Sequence, residues 1–120
     1  MNSNAGEMVK IIYKAMEDKK AEDIKIIDIA DISTIADYFI ICSASNSSQM
    51  EAVIDNISEM LVKAGYEAKR TEGGRSSSWI LIDYGDVVVH IFSREDRLFY
   101  DLERIWRDGK FVEIEEFDKE

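Results

Sequence analysis

Apolar residues recur at two spacings along this chain, and the switches between the spacings mark the elements. Met8, Ile11, Ile12, Ala15 and Met16 return every three or four positions, which predicts an amphipathic helix opening at Asn4 with Glu7 three residues on. Met50, Val53, Ile54, Ile57, Met60, Leu61 and Ala64 predict a second helix, started by the Ser48/Glu51 pair and stopped by Gly65. Leu98, Phe99, Leu102, Ile105 and Trp106 predict a third, opening at Ser93 and Asp96 and ending at Gly109. Strand-like runs fill the intervals: residues 25–29 and 38–43 before the second helix, residues 66–71, 79–84 and 87–92 after it, and a weaker run at 111–114. This order predicts an α/β (α+β) domain with a mixed β-sheet of about five strands and three main helices. The passage from residue 38 to residue 71 reads as a right-handed crossover, which makes its two strands parallel. Residues 43–48 and 76–78 read as loops.

The most informative alternation runs from Trp79 to Phe92. With Gly85 and Asp86 as the two turn residues, Tyr84 pairs with Val87 and Asp83 with Val88, and so on outward. One face then carries Ile80, Ile82, Tyr84, Val87, Val89 and Ile91, an ordinary core face. The other carries Trp79, Leu81, Asp83, Val88, His90 and Phe92, mixing large apolar groups with a carboxylate and an imidazole. Aromatic anchors beside a few polar groups are the composition of a protein-binding patch. A helix lying over this face, with Asp83 and His90 hydrogen-bonded at its rim, would account for the same residues.

Composition narrows the partners. The chain has 120 residues, 46% hydrophobic and 33% charged, which fits one globular domain over residues 1–112. Residues 113–120 hold five acids and one lysine, so they read as an acidic, solvated C-terminal tail. Fifteen Lys and Arg against 25 Asp and Glu leave a net charge of −10, which disfavours broad binding to nucleic acid or an anionic membrane and favours a basic partner. No Lys or Arg occurs from Ile26 to Val62, whereas Asp28, Asp31, Asp37, Glu51, Asp55 and Glu59 all fall there. The longest uncharged stretch, residues 38–50, is too short and polar to cross a bilayer, and residues 1–9 carry no signal-peptide pattern. A cytoplasmic location is expected.

The chain carries no recognisable catalytic pattern, so no catalytic residue, metal site or cofactor is expected. The lone histidine, His90, lies among valines with no G-x-S-x-G elbow in the chain. The lone cysteine, Cys42, sits in an apolar run where a thiol is packing, and there is no Cys/His cluster for zinc. Asp83 and Asp86 flank a tight turn that favours aspartate for its own reasons. Gly73-Gly74 is a turn signal without the rest of a phosphate loop, and no D-x-D carboxylate pair is present.

Several motifs nevertheless carry a resemblance: Asp37-Tyr-Phe-Ile-Ile-Cys42, Glu72-Gly73, Trp79 through His90 with Phe92, Arg97-Leu-Phe-Tyr-Asp-Leu-Glu103, and Trp106. In this order they resemble the ribosomal silencing factor (Iojap-like) family over residues 8–110. One departure is Ala44, where many relatives carry glycine. The resemblance implies a fold similar to the nucleotidyltransferase core but without its catalytic signature. It also implies a non-enzymatic translational repressor that binds the large ribosomal subunit through its fourteenth protein and blocks joining of the small subunit when nutrients are short. Homodimers occur in the family, and the lack of a transit-peptide pattern suggests a bacterial member. The motif positions carried over are Trp79, Asp83, Gly85, His90, Arg97, Tyr100, Glu103 and Trp106. The expected partner contacts are Trp79, Leu81, Asp83, Tyr84 and His90, with Trp79 the desolvated anchor and Asp83 facing a basic side chain. Tyr84 points toward the core unless the turn exposes it. Arg97, Tyr100, Glu103 and Trp106 are read as packing of the last helix, with an Arg97–Asp101 ion pair. Two other classes stay open: a diverged nucleotide-binding or nucleotidyl-transfer protein, and a ribosome-assembly factor holding basic ribosomal proteins.

Overall fold

The computed structural model describes residues 4–31, 36–73, 79–94 and 110–119. Helix α1 (Asn4–Asp18) leads into β1 (Glu22–Asp28) and β2 (Tyr38–Ala44), and α2 (Ser47–Lys63) follows. Then come β3 (Arg70–Glu72), β4 (Trp79–Asp83), β5 (Val87–Ser93), β6 (Lys110–Val112) and a 3-10 segment, Ile114–Lys119. The third expected helix falls on residues outside the described ones, as do Arg97, Tyr100, Glu103 and Trp106; Ser93, its expected start, closes β5.

All six strands form one mixed sheet in the order β3-β4-β5-β2-β1-β6. The sixth comes from residues 110–112, which pair antiparallel with β1 through Ile26↔Val112 and Ile27↔Phe111. β2 and β5 are parallel, while β3–β4, β4–β5 and β1–β2 are antiparallel. These pairings make β3 run in the same direction as β2, as the crossover requires, but β4 and β5 lie between them. Ala44, expected in a loop, is the last residue of β2 and is buried.

The expected cap of α2 is displaced by two residues. Asn46 caps the helix, its side-chain oxygen accepting the Gln49 amide at 2.8 Å, while Gln49 Oε1 accepts the Ser45 amide at 2.7 Å. The Gln49 amide group then donates to the Lys19 and Lys20 carbonyls at 3.1 and 2.8 Å, tying this start to the end of α1. At the other end the Tyr66 amide donates to Leu61 O and the Gly65 amide to Val62 O, a paired closure of the last turn.

Both helices pack on one sheet face. Val9, Ile12 and Met16 from α1 and Val53, Ile57 and Leu61 from α2 meet Ile26, Ile40, Ile80, Ile82, Val89 and Ile91 in one cluster. Each such side chain contributes about 1.5–3 kcal/mol of apolar burial, so this cluster dominates the stability of the fold. Cys42 lies within it as packing. The acidic end also joins this core, contrary to a solvated tail: Phe117 is buried and meets the Tyr38 ring edge-on, with centroids 5.3 Å apart. One buried aromatic outweighs the hydration preference of the neighbouring acids, because Glu115 and Glu116 stay exposed on the same short helix.

A second, smaller cluster occupies the opposite face: Ile27, Ile29, Ala36, Ile41, Val88 and Phe92, with Phe39 and Leu81 against it. This face carries the candidate site.

Candidate functional site

The hairpin forms in the register expected from its alternation. Asp83 pairs with Val88, Ile82 with Val89, Leu81 with His90, Ile80 with Ile91 and Trp79 with Phe92. The Tyr84 amide donates to Val87 O at 2.9 Å, closing the Gly85-Asp86 turn. Gly85 has φ +93°, which favours glycine, and Asp83 Oδ1 accepts its amide at 2.8 Å. The Asp86 carbonyl accepts the amides of Asp37 and Tyr38 at 2.8 and 3.2 Å. Two motifs far apart in sequence are thereby one structural unit.

On the second face, side chains of β3, β4 and β5 line up across the ladder. Arg70 stands opposite Asp83, Glu72 opposite Leu81, Leu81 opposite His90, and Trp79 opposite Phe92. Arg70 and Glu72 pair along β3 at 3.2 Å. Between β3 and β4 lies a cleft of about 220 Å³ lined by Glu72, Gly73, Trp79 and Leu81. Gly73 makes the cleft possible. Its φ is +97°, and a Cβ there would stand 2.6 Å from the Trp79 carbonyl oxygen, so any larger residue would push β4 away.

Trp79 is 41% exposed, whereas Phe92 and His90 beside it are 1% and 5% exposed. The indole lies nearly parallel to Phe92 (5.7 Å, 7°) and to His90 (6.0 Å, 6°), and its Nε1–H donates to His90 Nδ1 at 3.3 Å. Phe39 closes the row with its ring 4.8 Å from the imidazole. Burial lowers the His90 pKa from 6.5 to about 4, so the ring is neutral at physiological pH. Nδ1 accepts from the indole, which puts the ring proton on Nε2; that atom is buried without a hydrogen-bond partner among the described residues.

Of the five expected contacts, the structure groups Trp79, Leu81, Asp83 and His90 on one face. Trp79 is exposed, Leu81 and Asp83 are half-buried, and His90 is buried beneath the indole. Tyr84 is on the opposite face, in the helix-side core, where burial pushes its phenol pKa up. Its alternation parity sends it there, and the turn does not reverse it. Glu72 and Gly73 complete the cleft but were not among the expected contacts; their signal was the Glu-Gly pair before a serine-rich stretch.

A family model described as "Ribosomal silencing factor during starvation" matches residues 2–120. The chain belongs to the ribosomal silencing factor family. It is 39% identical over 109 residues to ribosomal silencing factor RsfS of Halalkalibacterium halodurans, covering 91% of this chain and 93% of that one. The Bacillus subtilis RsfS is 38% identical over 112 residues, covering 93% and 95%. The chloroplastic protein Iojap of Zea mays is 31% identical over 103 residues, which is 86% of this chain and 45% of that longer one. Among solved structures, a Bacillus halodurans crystal structure superposes with a TM-score of 0.79 at 36% identity, covering 89% of this chain and 97% of that one. A Chromobacterium violaceum crystal structure gives 0.82 at 30% identity, covering 94% and 92%. The mixed α+β architecture is thus shared with both solved structures.

Proposed function

We propose that this protein represses translation by occupancy: it binds the large ribosomal subunit through that subunit's fourteenth protein and blocks joining of the small subunit. Family membership supports the ribosomal setting, and relatives bear the name ribosomal silencing factor. The observation that carries the docking surface is the exposed indole of Trp79, which lies against the buried His90 and Phe92 rings beside the Glu72–Leu81 cleft. A rigid aromatic wall with an apolar floor suits a hot-spot contact. Acidic groups around it, on a chain of net charge −10, suit a basic ribosomal surface. Trp79 and Leu81 make the contact, Asp83 and Glu72 present carboxylates to it, and no chemical step is needed. A cytoplasmic location and a homodimeric state belong to the same reading.

The test is co-sedimentation with isolated large subunits, with and without small subunits added. Wild-type protein is expected to bind and to lower the yield of joined ribosomes. Trp79→Ala should weaken binding about ten-fold or more with little loss of fold stability. Absence of wild-type binding at modest salt would overturn the ribosomal reading; undiminished binding by Trp79→Ala would remove the hairpin from the interface.

A further inference from the structure

His90 is chemically the odd member of the aromatic row. At 5% exposure it is too deep to touch a docked partner. A polar ring at that depth is compensated only by its hydrogen bonds, and among the described residues this one accepts a bond from Trp79 Nε1 at 3.3 Å. Its Nε2 is buried and has no hydrogen-bond partner among the described residues. Besides Trp79, the rings of Phe39 and Phe92 lie 4.8 and 6.3 Å from it. A phenylalanine there would bury no ring N–H, but it is larger and would take away the acceptor of the indole N–H. What the imidazole adds to this row is an acceptor aimed at the exposed indole.

We infer that His90 is a positioning residue for docking: its Nδ1 fixes the rotation of the Trp79 indole, so the anchor is already in its bound orientation in the free protein. The inference rests on Trp79 being the anchor. Cross-strand pairing with Phe92 fixes the Trp79 backbone, and the parallel Phe92 ring limits the indole's tilt. The N–H···N bond, directed along the indole N–H, sets the rotation of the ring about its side-chain bonds. A side chain ordered in advance spares the complex that ordering cost, an effect of about three- to ten-fold in affinity. Burial keeps the imidazole neutral, so the acceptor is present throughout the neutral range.

Three readouts on the full chain test this: affinity for large subunits, the Trp79 indole N–H resonance, and the thermal midpoint. His90→Phe is expected to shift the indole resonance and weaken binding three- to ten-fold, with the midpoint reporting that the variant is folded. His90→Asn places Oδ1 where the imidazole has Nδ1, and should restore resonance and affinity together. In a Trp79→Phe background, which has no N–H to hold, His90→Phe should change binding no further. Wild-type binding by His90→Phe, or an equal loss in both backgrounds, overturns the inference. Should His90→Phe not fold, His90→Asn against His90→Ala makes the same comparison, acceptor kept against acceptor lost. Undiminished binding by both Trp79→Ala and Trp79→Phe is a different failure, that of Trp79 as anchor.

Discussion

The two faces of the β4–β5 hairpin share one backbone and one hydrogen-bond ladder, yet they are built to different demands. On the helix side, Ile80, Ile82, Tyr84, Val87, Val89 and Ile91 are all at most 6% exposed and join one apolar cluster. On the other side exposure runs from 1% at Phe92 to 41% at Trp79, with an imidazole that leaves one nitrogen unpaired. A stranded buried donor costs about 1–3 kcal/mol. Where burial is the sole demand, side chains saturate it; beside the exposed indole of Trp79, the sheet holds a buried polar ring.

Core truncation should show this contrast most strongly. Ile91→Ala is expected to cost about 2–5 kcal/mol, because the site is closed on every side and collapses only partly. Leu81→Ala, on a half-buried position bordering the cleft, should cost about 1 kcal/mol. Urea denaturation of both variants measures the difference, and equal losses would mean that the two faces are packed alike.

Acid should act next, and through the second face. The folded His90 pKa, about 4, lies below its ordinary value of 6.5, so the unfolded chain takes up its proton first as pH falls. Above 6.5 both states are neutral here and His90 adds no pH dependence. Between 6.5 and 4 its contribution erodes stability, and below 4 the loss levels at about 3 kcal/mol. Denaturation midpoints of wild type and His90→Phe across this window should diverge, the variant having the flatter profile. Parallel profiles would show that the imidazole is not desolvated.

How much of this was legible in the sequence depended on whether local chemistry or tertiary context decided each element. The hairpin was readable to the residue, because Asp-Tyr-Gly-Asp between alternating apolar runs admits one turn, and parity then sends every side chain to a face. The α2 cap was not, since Ser45-Asn-Ser-Ser48 offers several candidates and only the reach of Gln49 to Lys19 and Lys20 selects Asn46. β3 is shorter than expected because the Tyr66 amide closes α2 by donating to Leu61 O at 2.8 Å, while the Tyr66 hydroxyl donates to Glu7 Oε1 at 2.7 Å on α1. Phe117 was masked by the acids flanking it. Of the candidate site, the shared face of Trp79, Leu81, Asp83 and His90 was legible in the alternation. That Trp79 is exposed and His90 buried required the packing, and so did the close approach of Gly73 to the Trp79 carbonyl.

Asp83 gives the smallest expected effect. Its Oδ1 accepts the Gly85 amide at 2.8 Å, so a carboxylate there serves the turn, while its place opposite Arg70 and near the cleft suits contact with a basic partner. Asp83→Asn separates the two, because the amide oxygen can still accept from Gly85 while the charge is gone. Asp83→Ala removes both, and should cost about 1 kcal/mol of stability where Asp83→Asn costs about 0.5 or less. If the charge faces the ribosome, Asp83→Asn weakens binding several-fold and flattens its salt dependence, since a rim charge acts through long-range attraction. That is the expected result. Binding by Asp83→Asn indistinguishable from wild type at every salt would make Asp83 a turn residue, and the contact would then rest on Trp79 and Leu81.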